Sequence, residues 1–260
     1  MKAYQIVQKA RDIKRISTSD VIGALCGDDF IECHGDRIMG DDAAIIGGVG
    51  MVDDQPMTII GIQKGKTTKE NIKRNFGSAS PAGYRKAQRL MKQAEKFGRP
   101  ILTLINTAGA FCSPESEENG IGEAIASSLL LMSELTVPTI AIILGEGGSG
   151  GAIALALADQ VWMLENAIYS ILSPEGFASI LWKDAKQAGK AADMMKLTAT
   201  ELLDLKVIDR IVPETYNSKP VENDVLLERL SHLIKREFKK LGQKTAQERL
   251  VQRQDRFKQF

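Results

Sequence analysis

The stretch Gly145-Glu146-Gly147-Gly148-Ser149-Gly150-Gly151 packs five glycines into seven residues. Glycine permits positive φ and close approach of a ligand to the backbone. Ahead of the stretch lies Val137–Leu144, a β-branched apolar run suited to a strand buried on both faces. Behind it lies Ala152–Ala158, small residues with good helix propensity. The pattern predicts strand, glycine turn, buried helix. The first N–H groups of a helix have no internal partner and sit at the positive end of its dipole. Such a turn offers fixed donors to a phosphate, a carboxylate or a developing oxyanion. A turn needed only for tight packing is the plainer alternative, and the glycine density weighs against it.

Two other chemistries compete. Gly61-Ile62-Gln63-Lys64-Gly65-Lys66-Thr67 resembles a phosphate-binding P-loop, but only three residues separate its glycines where that motif needs four. Gly147-Gly148-Ser149-Gly150-Gly151 satisfies the G-x-S-x-G elbow of serine hydrolases. That reading needs a histidine downstream. His232 alone qualifies, and its setting between Arg229 and Arg236 is that of a solvated helix face. A turn that donates N–H groups and carries no nucleophile needs neither partner. His34, in Cys33-His34-Gly35-Asp36-Arg37, reads as a turn histidine with local hydrogen bonds. The basic run 64–74 reads as a solvated face that can also meet the phosphates of a cofactor such as coenzyme A.

The elements that must position the turn follow from periodicity. Residues 2–13 form an amphipathic helix with Tyr4, Ile6, Val7, Ala10 and Ile13 as its apolar set. Runs 43–52 and 57–63 are strands around an Asp53–Pro56 turn. Pro81 opens a helix that Gly98 ends after Phe97, and 101–106 is a buried strand. An irregular loop spans 107–119 and a helix 122–135. Strands follow at 161–164 and 169–172, then helices within 174–205, with a Thr198/Glu201 capping box. A polar stretch near 213–220 precedes a charged helix at 221–241, and 243–260 is a polar helical or frayed tail. The strand and helix alternation from 43 to 172 predicts an α/β fold with a largely parallel sheet. One domain is expected over 1–260, with a core at about 30–212 and helical extensions at 1–29 and 213–260.

Composition bounds the function. The chain has 260 residues, 43% of them hydrophobic and 26% charged, as in a soluble globular protein. A net charge of +1 gives no general attraction to nucleic acid or an anionic membrane. The first residues lack a signal-peptide pattern. Cys26, Cys33 and Cys112 lack metal-type spacing, so reduced thiols, a cytoplasmic location and no metal site are expected.

Several stretches together resemble the α subunit of the carboxyltransferase component of bacterial acetyl-CoA carboxylase. They are His34–Arg37, Gly61–Gly65, Arg74–Gly77, Gly83–Lys86, Thr107–Ala110, Gly145–Gly151, Ser173–Gly176 and Ala178–Lys183. The resemblance spans roughly 30–212. It implies a crotonase-like (ClpP/crotonase) fold of stacked ββα units, and transfer of a carboxyl group from carboxybiotin to acetyl-CoA, giving malonyl-CoA for fatty acid synthesis. It implies a carboxyltransferase β subunit in an α2β2 assembly, a biotin carboxyl carrier protein and biotin carboxylase, in a complex that binds ATP. Zinc belongs on the β subunit and biotin on the carrier, with no cofactor bound to this chain. Met91-Lys92-Gln93 is not the Met-Lys-Met context of a biotin-bearing lysine. Gly150 and Gly151 are implied as catalytic donors to the biotin ureido oxygen. Gly147, Gly148 and Ser149, with Ala108, Gly109 and Ala110, are expected to bind substrate. One segment departs from the family pattern: Phe111–Ile121 lacks two glycines, an arginine and a glutamine, while Glu117, Glu118 and Gly120 remain. That departure keeps a divergent, non-catalytic or altered-substrate paralogue open as the alternative.

Overall fold

The computed structural model describes residues 2–217 and 219–259, so expectations that reach Met1, Ser218 or Phe260 lie there outside the described residues. Helices α1 (Ala3–Ala10) and α2 (Thr18–Cys26) precede strands β1 (Phe30–Glu32), β2 (Ile45–Val52) and β3 (Gln55–Ile62). Next come α3 (Thr68–Lys73), α4 (Pro81–Phe97), β4 (Ile101–Thr107), α5 (Pro114–Glu118) and α6 (Ile121–Glu134). Then follow β5 (Thr139–Gly148), α7 (Ser149–Ile153), β6 (Gln160–Leu164), β7 (Ile168–Ser170), α8 (Pro174–Trp182), α9 (Ala188–Met195) and α10 (Ala199–Asp204). The chain closes with β8 (Arg210–Val212), a small hairpin β9 (Thr215–Tyr216) and β10 (Lys219–Pro220), α11 (Asn223–Gly242) and α12 (Ala246–Phe257).

The main sheet runs β1-β2-β3-β4-β5-β6-β8. The first three strands are antiparallel and the rest parallel. The β2–β3 turn is tighter than expected. Asp53 and Asp54 both have positive φ (48° and 62°), the backbone of a two-residue hairpin, and Gln55 and Pro56 already belong to β3. Proline is tolerated there because β3 meets β4 only from Thr58 onward, so no ladder needs the missing N–H. Helix α4 runs from Pro81 to a left-handed Gly98, φ 66°, as expected.

Strand β5 is the pivot. Its residues 139–143 pair with Ile101–Ile105 of β4, and 140–143 pair with β6. The register with β4 then shifts, and Thr107 meets Gly147. Leu144, Gly145 and Glu146 form the resulting bulge, and Glu146–Gly148 turn to pair with β7. Side chains take up the backbone groups the bulge frees. Arg15 donates to the Leu144 carbonyl from Nε and Nη2 at 2.9 and 2.6 Å, and the Glu146 N–H donates to Asn106 Oδ1 at 3.1 Å.

Three local expectations are corrected. The helix after the glycine turn ends at Ile153, because the chain must enter β6; Thr103 Oγ1 donates to the Leu155 carbonyl at 2.7 Å, although the alanines to 158 are largely buried. The first helix ends at Ala10 with Arg11 as its cap, leaving Ile13 62% exposed. Strand β7 ends at Ser170, and Ile171 is 83% exposed. The polar tail is a helix that buries Arg249 and Arg253. Core residues continue from the sheet into α11 through Leu226, Leu230, Ile234 and Phe238.

Candidate active site

The glycine turn sits where β5 leaves the main sheet and α7 begins. Ser149 takes a left-handed φ of 53°, and no side chain caps α7. The N–H groups of Ser149, Gly150 and Gly151 fill the first helical turn and have no partner within it. Glycine is required where the turn meets the 107–110 loop. A Cβ on Gly148 would overlap the Ala108 carbonyl, and one on Gly151 would stand 2.5 Å from Ala110 N. Thr107 Oγ1 shapes that loop by accepting from Gly109 N at 3.0 Å and donating to Gly109 O at 2.7 Å. Tyr84, fully buried, donates to the Gly151 carbonyl at 3.2 Å, and burial pushes its phenol pKa up.

The eight residues singled out from sequence are therefore in contact as two packed loops, but they do not face one space. Ser149 and Gly150 line a cleft of about 540 Å³ with Tyr169, Ile171, Phe177 and Leu205. Ala108, Gly109 and Ala110 line another of about 560 Å³ with Ile72, Phe76 and Phe111. Gly148 and Gly151 are buried in the seam between the loops, and Gly147 is buried against Tyr169 and Ile143. The first cleft is mostly apolar with donors at one edge. It suits a neutral ring that carries a carbonyl.

Sequence reasoning missed the charged support behind the turn. Glu146, 7% exposed, is held by Lys64 Nζ at 2.6 Å and Arg11 Nε at 2.8 Å. Burial alone would raise its pKa; Lys64 and Arg11 outweigh it and hold the carboxyl below its ordinary value. No local pattern joins residues 11, 64 and 146. A second missed feature is the turn Asn75-Phe76-Gly77, with φ of 46°, 54° and 78° in succession. It packs on strand β4 where a Cβ on Gly77 would meet Asn106 O at 3.0 Å, and it projects Phe76 into the second cleft. The Arg74-Asn75-Phe76-Gly77 resemblance was the available signal.

The competing motifs resolve on the same geometry. Lys64 of the P-loop-like stretch is spent on Glu146, and Gly65 is bound to Asn71 in place of a phosphate. His232 is exposed on α11 beside Glu228 at 3.9 Å. His34 makes the expected local contact, to Asp41 at 2.9 Å. In the departing loop, Ser113 caps α5, and Arg85 donates to the Asn119 carbonyl at 2.6 Å. Among the described residues no three His, Cys, Asp or Glu side chains are placed to hold a metal, and no helix is long and apolar enough to cross a membrane.

The family described as acetyl co-enzyme A carboxylase carboxyltransferase-like matches residues 1–260. The acetyl-coenzyme A carboxylase carboxyl transferase subunit alpha of Streptococcus pneumoniae (strain Hungary19A-6) is 52% identical over 260 residues, covering 100% of both chains. Among solved structures, the transcarboxylase 12S core aligns with TM-score 0.69 at 17% identity, over 88% of this chain and 43% of that one. A Pseudomonas malonate decarboxylase hetero-tetramer in complex with coenzyme A aligns with TM-score 0.70 at 15% identity, over 92% of each chain. At these identities the solved structures speak for the fold, which is the crotonase-like one expected.

Proposed function

The chain belongs to the acetyl-CoA carboxylase carboxyltransferase family as an α subunit, and on that premise we propose how its residues serve carboxyl transfer to acetyl-CoA, giving malonyl-CoA. The observation that carries the reading is an uncapped helix start whose first two residues, Ser149 and Gly150, stand at the edge of an apolar cleft. Biotin on a carrier protein supplies the carboxyl group, and the cleft beside Ser149 and Gly150 fits its ring. Gly150, on the cleft, donates its backbone N–H group to the ureido oxygen, where negative charge develops, and the N–H of Gly151, next in the same helical turn and packed behind it, is the second donor. Gly148 lets the 107–110 loop close on the turn, Gly147 lets Tyr169 pack on it, and Tyr169, Phe177 and Leu205 keep water out, which strengthens those hydrogen bonds. One such donor is worth about 3 kcal/mol of barrier. Ala108, Gly109 and Ala110 face the second cleft, where the acyl acceptor approaches. The working unit is one domain over 1–260, completed by a zinc-bearing β subunit in an α2β2 assembly and served by the carrier protein and biotin carboxylase in the cytoplasm.

The test uses the chain assembled with the carboxyltransferase β subunit, following malonyl-CoA decarboxylation with free biotin. In Gly150→Val the new Cβ stands 3.1 Å from Ile125 Cδ1, tighter than ordinary contact, so the first turn of α7 shifts and carries the Gly150 N–H out of place while the fold survives. A fall in kcat of about 100-fold or more is expected. Ser149→Ala keeps every backbone donor and loses little. Full turnover in Gly150→Val, or stoichiometric labelling of Ser149 by a serine-directed phosphonate, would overturn the donor reading.

A further inference from the structure

Arg11 joins two elements that each lead into the cleft beside the glycine turn. Its Nε donates to Glu146 Oε1 at 2.8 Å, and Nη1 and Nη2 donate to the two oxygens of Glu175 at 2.8 and 3.1 Å. Glu146 leads through the β5 bulge to Ser149 and Gly150 on one wall. Glu175 stands in the first turn of α8, two residues before Phe177 on the other. One planar guanidinium thus joins two elements through a fixed fork of donors.

Among the described residues no backbone ladder joins these two elements. Strand β7 leaves β5 at Ser170, and α8 starts at Pro174. Across the intervening segment, Ser170 Oγ donates to Leu172 O, a contact internal to the segment. The helix that Arg11 caps shares a packed cluster with one residue of the cleft lining. Val7 and Ala10 pack with Ile168, Ala192 and Leu197, and Met195, packed on the same cluster, lines the cleft. Tyr4, about two turns before Arg11, donates to Glu175 Oε1 at 3.0 Å. The hydrogen bonds from Arg11 pull the Glu175 carboxyl down to about 2, so both anchors are ionised at neutral pH.

We propose that Arg11 is a positioning residue that fixes the separation between the glycine turn and the Phe177 wall. The N-terminal helix α1 thereby sets how closely the ring carried into this cleft is held against the Gly150 and Gly151 N–H groups. The proposal rests on the reading of this cleft as the biotin site. Arginine is specifically required, because a lysine ammonium cannot hold one carboxylate through Nε and chelate another through its two terminal nitrogens.

The experiment measures KM and kcat for malonyl-CoA decarboxylation with free biotin, using the chain assembled with the β subunit. Arg11→Ala is expected to raise KM for biotin at least tenfold and to lower kcat, leaving KM for malonyl-CoA unchanged. Arg11→Lys is expected to recover less than half of the lost kcat/KM for biotin. Val7→Ala weakens the same helix without touching the fork, and is expected to lower Tm with a smaller change in biotin KM. Leu205→Trp, which fills the cleft, separates the two layers of the argument. If Leu205→Trp leaves biotin KM unchanged, the cleft is not the biotin site and both readings fall. If Leu205→Trp raises it but Arg11→Ala shifts neither KM, or both equally, the cleft reading stands and the role of Arg11 is refuted.

Discussion

Gly148 and Ala108 meet through backbone alone: the place a Cβ on Gly148 would take is already filled by the carbonyl group of Ala108. The glycine turn and the 107–110 loop are in effect one rigid unit with a different cleft on each side. Gly148→Ala must part the two backbones, and neither has a flexible end to yield. A loss above about 3 kcal/mol is expected, at the upper end of overpacking costs. Denaturant unfolding checks this, and a midpoint equal to that of the unsubstituted chain would show that the loops part freely.

The last helix is bound into the core by charge. Arg253 Nη2 lies 2.6 Å from Asp159 Oδ1, the side chains are 1% and 4% exposed, and Arg253 Nη1 donates to the carbonyls of Met132 and Leu135. Asp159 also accepts from Thr139 N at 2.8 Å, at the first residue of β5. Removing one partner of such a pair strands a buried charge. Arg253→Ala is expected to cost about 3–5 kcal/mol, while Lys258→Ala, on an exposed side chain of the same tail, should stay within about 0.5 kcal/mol. Equal effects of the two substitutions in thermal unfolding would mean the helix is held by generic contacts.

The Arg11–Glu175 pair also makes a prediction in pH. Glu175 falls from an ordinary 4.5 to about 2 in the folded chain, chiefly through the Arg11 hydrogen bonds. Below 4.5 the unfolded chain therefore binds the proton first. The pair's stabilisation is complete above that value and is lost as pH falls from 4.5 toward 2. The stability difference between the unsubstituted chain and Arg11→Ala should be constant from about pH 6 to 7.5 and shrink below about pH 4.5. Urea titrations at each pH read it directly; a difference that grows toward acid has the wrong sign for this linkage.

Phe76 combines two costs, a left-handed backbone (φ 54°) and a side chain 58% exposed. Bulky residues are rare in that conformation, and strain of this kind gathers at functional sites. Asparagine adopts it readily. Phe76→Asn is expected to gain about 1 kcal/mol of stability while turnover falls, because the ring at the second cleft is gone. A variant that is more stable and equally active would show the ring to be dispensable; a less stable one would show that its contacts outweigh the strain.

Much of the local structure was legible in the sequence. Pro81 and Gly98 bracket α4, the apolar run at 101–106 falls in β4, the run at 137–144 supplies the first part of β5, and the Thr198/Glu201 box starts α10. These are written in spacing and in residues with narrow backbone preferences, so the chain itself states them. The glycine-rich stretch was legible as the junction of strand and helix, although its first four residues complete β5 and its last three open α7, and with the motif resemblances it led to the family. Only the tertiary structure decided what surrounds the turn. The bulge that swings Gly147 and Gly148 toward β7 arises from a register shift between β4 and β5, which depends on both strands at once. The Arg11, Lys64, Glu146 and Glu175 contacts join positions far apart in the chain, and the buried Arg249 and Arg253 sit in a tail that reads as polar. Periodicity records which face of an element is apolar. It carries no information about which buried charge will meet which, because that pairing is set by strand order and by where each helix lands on the sheet.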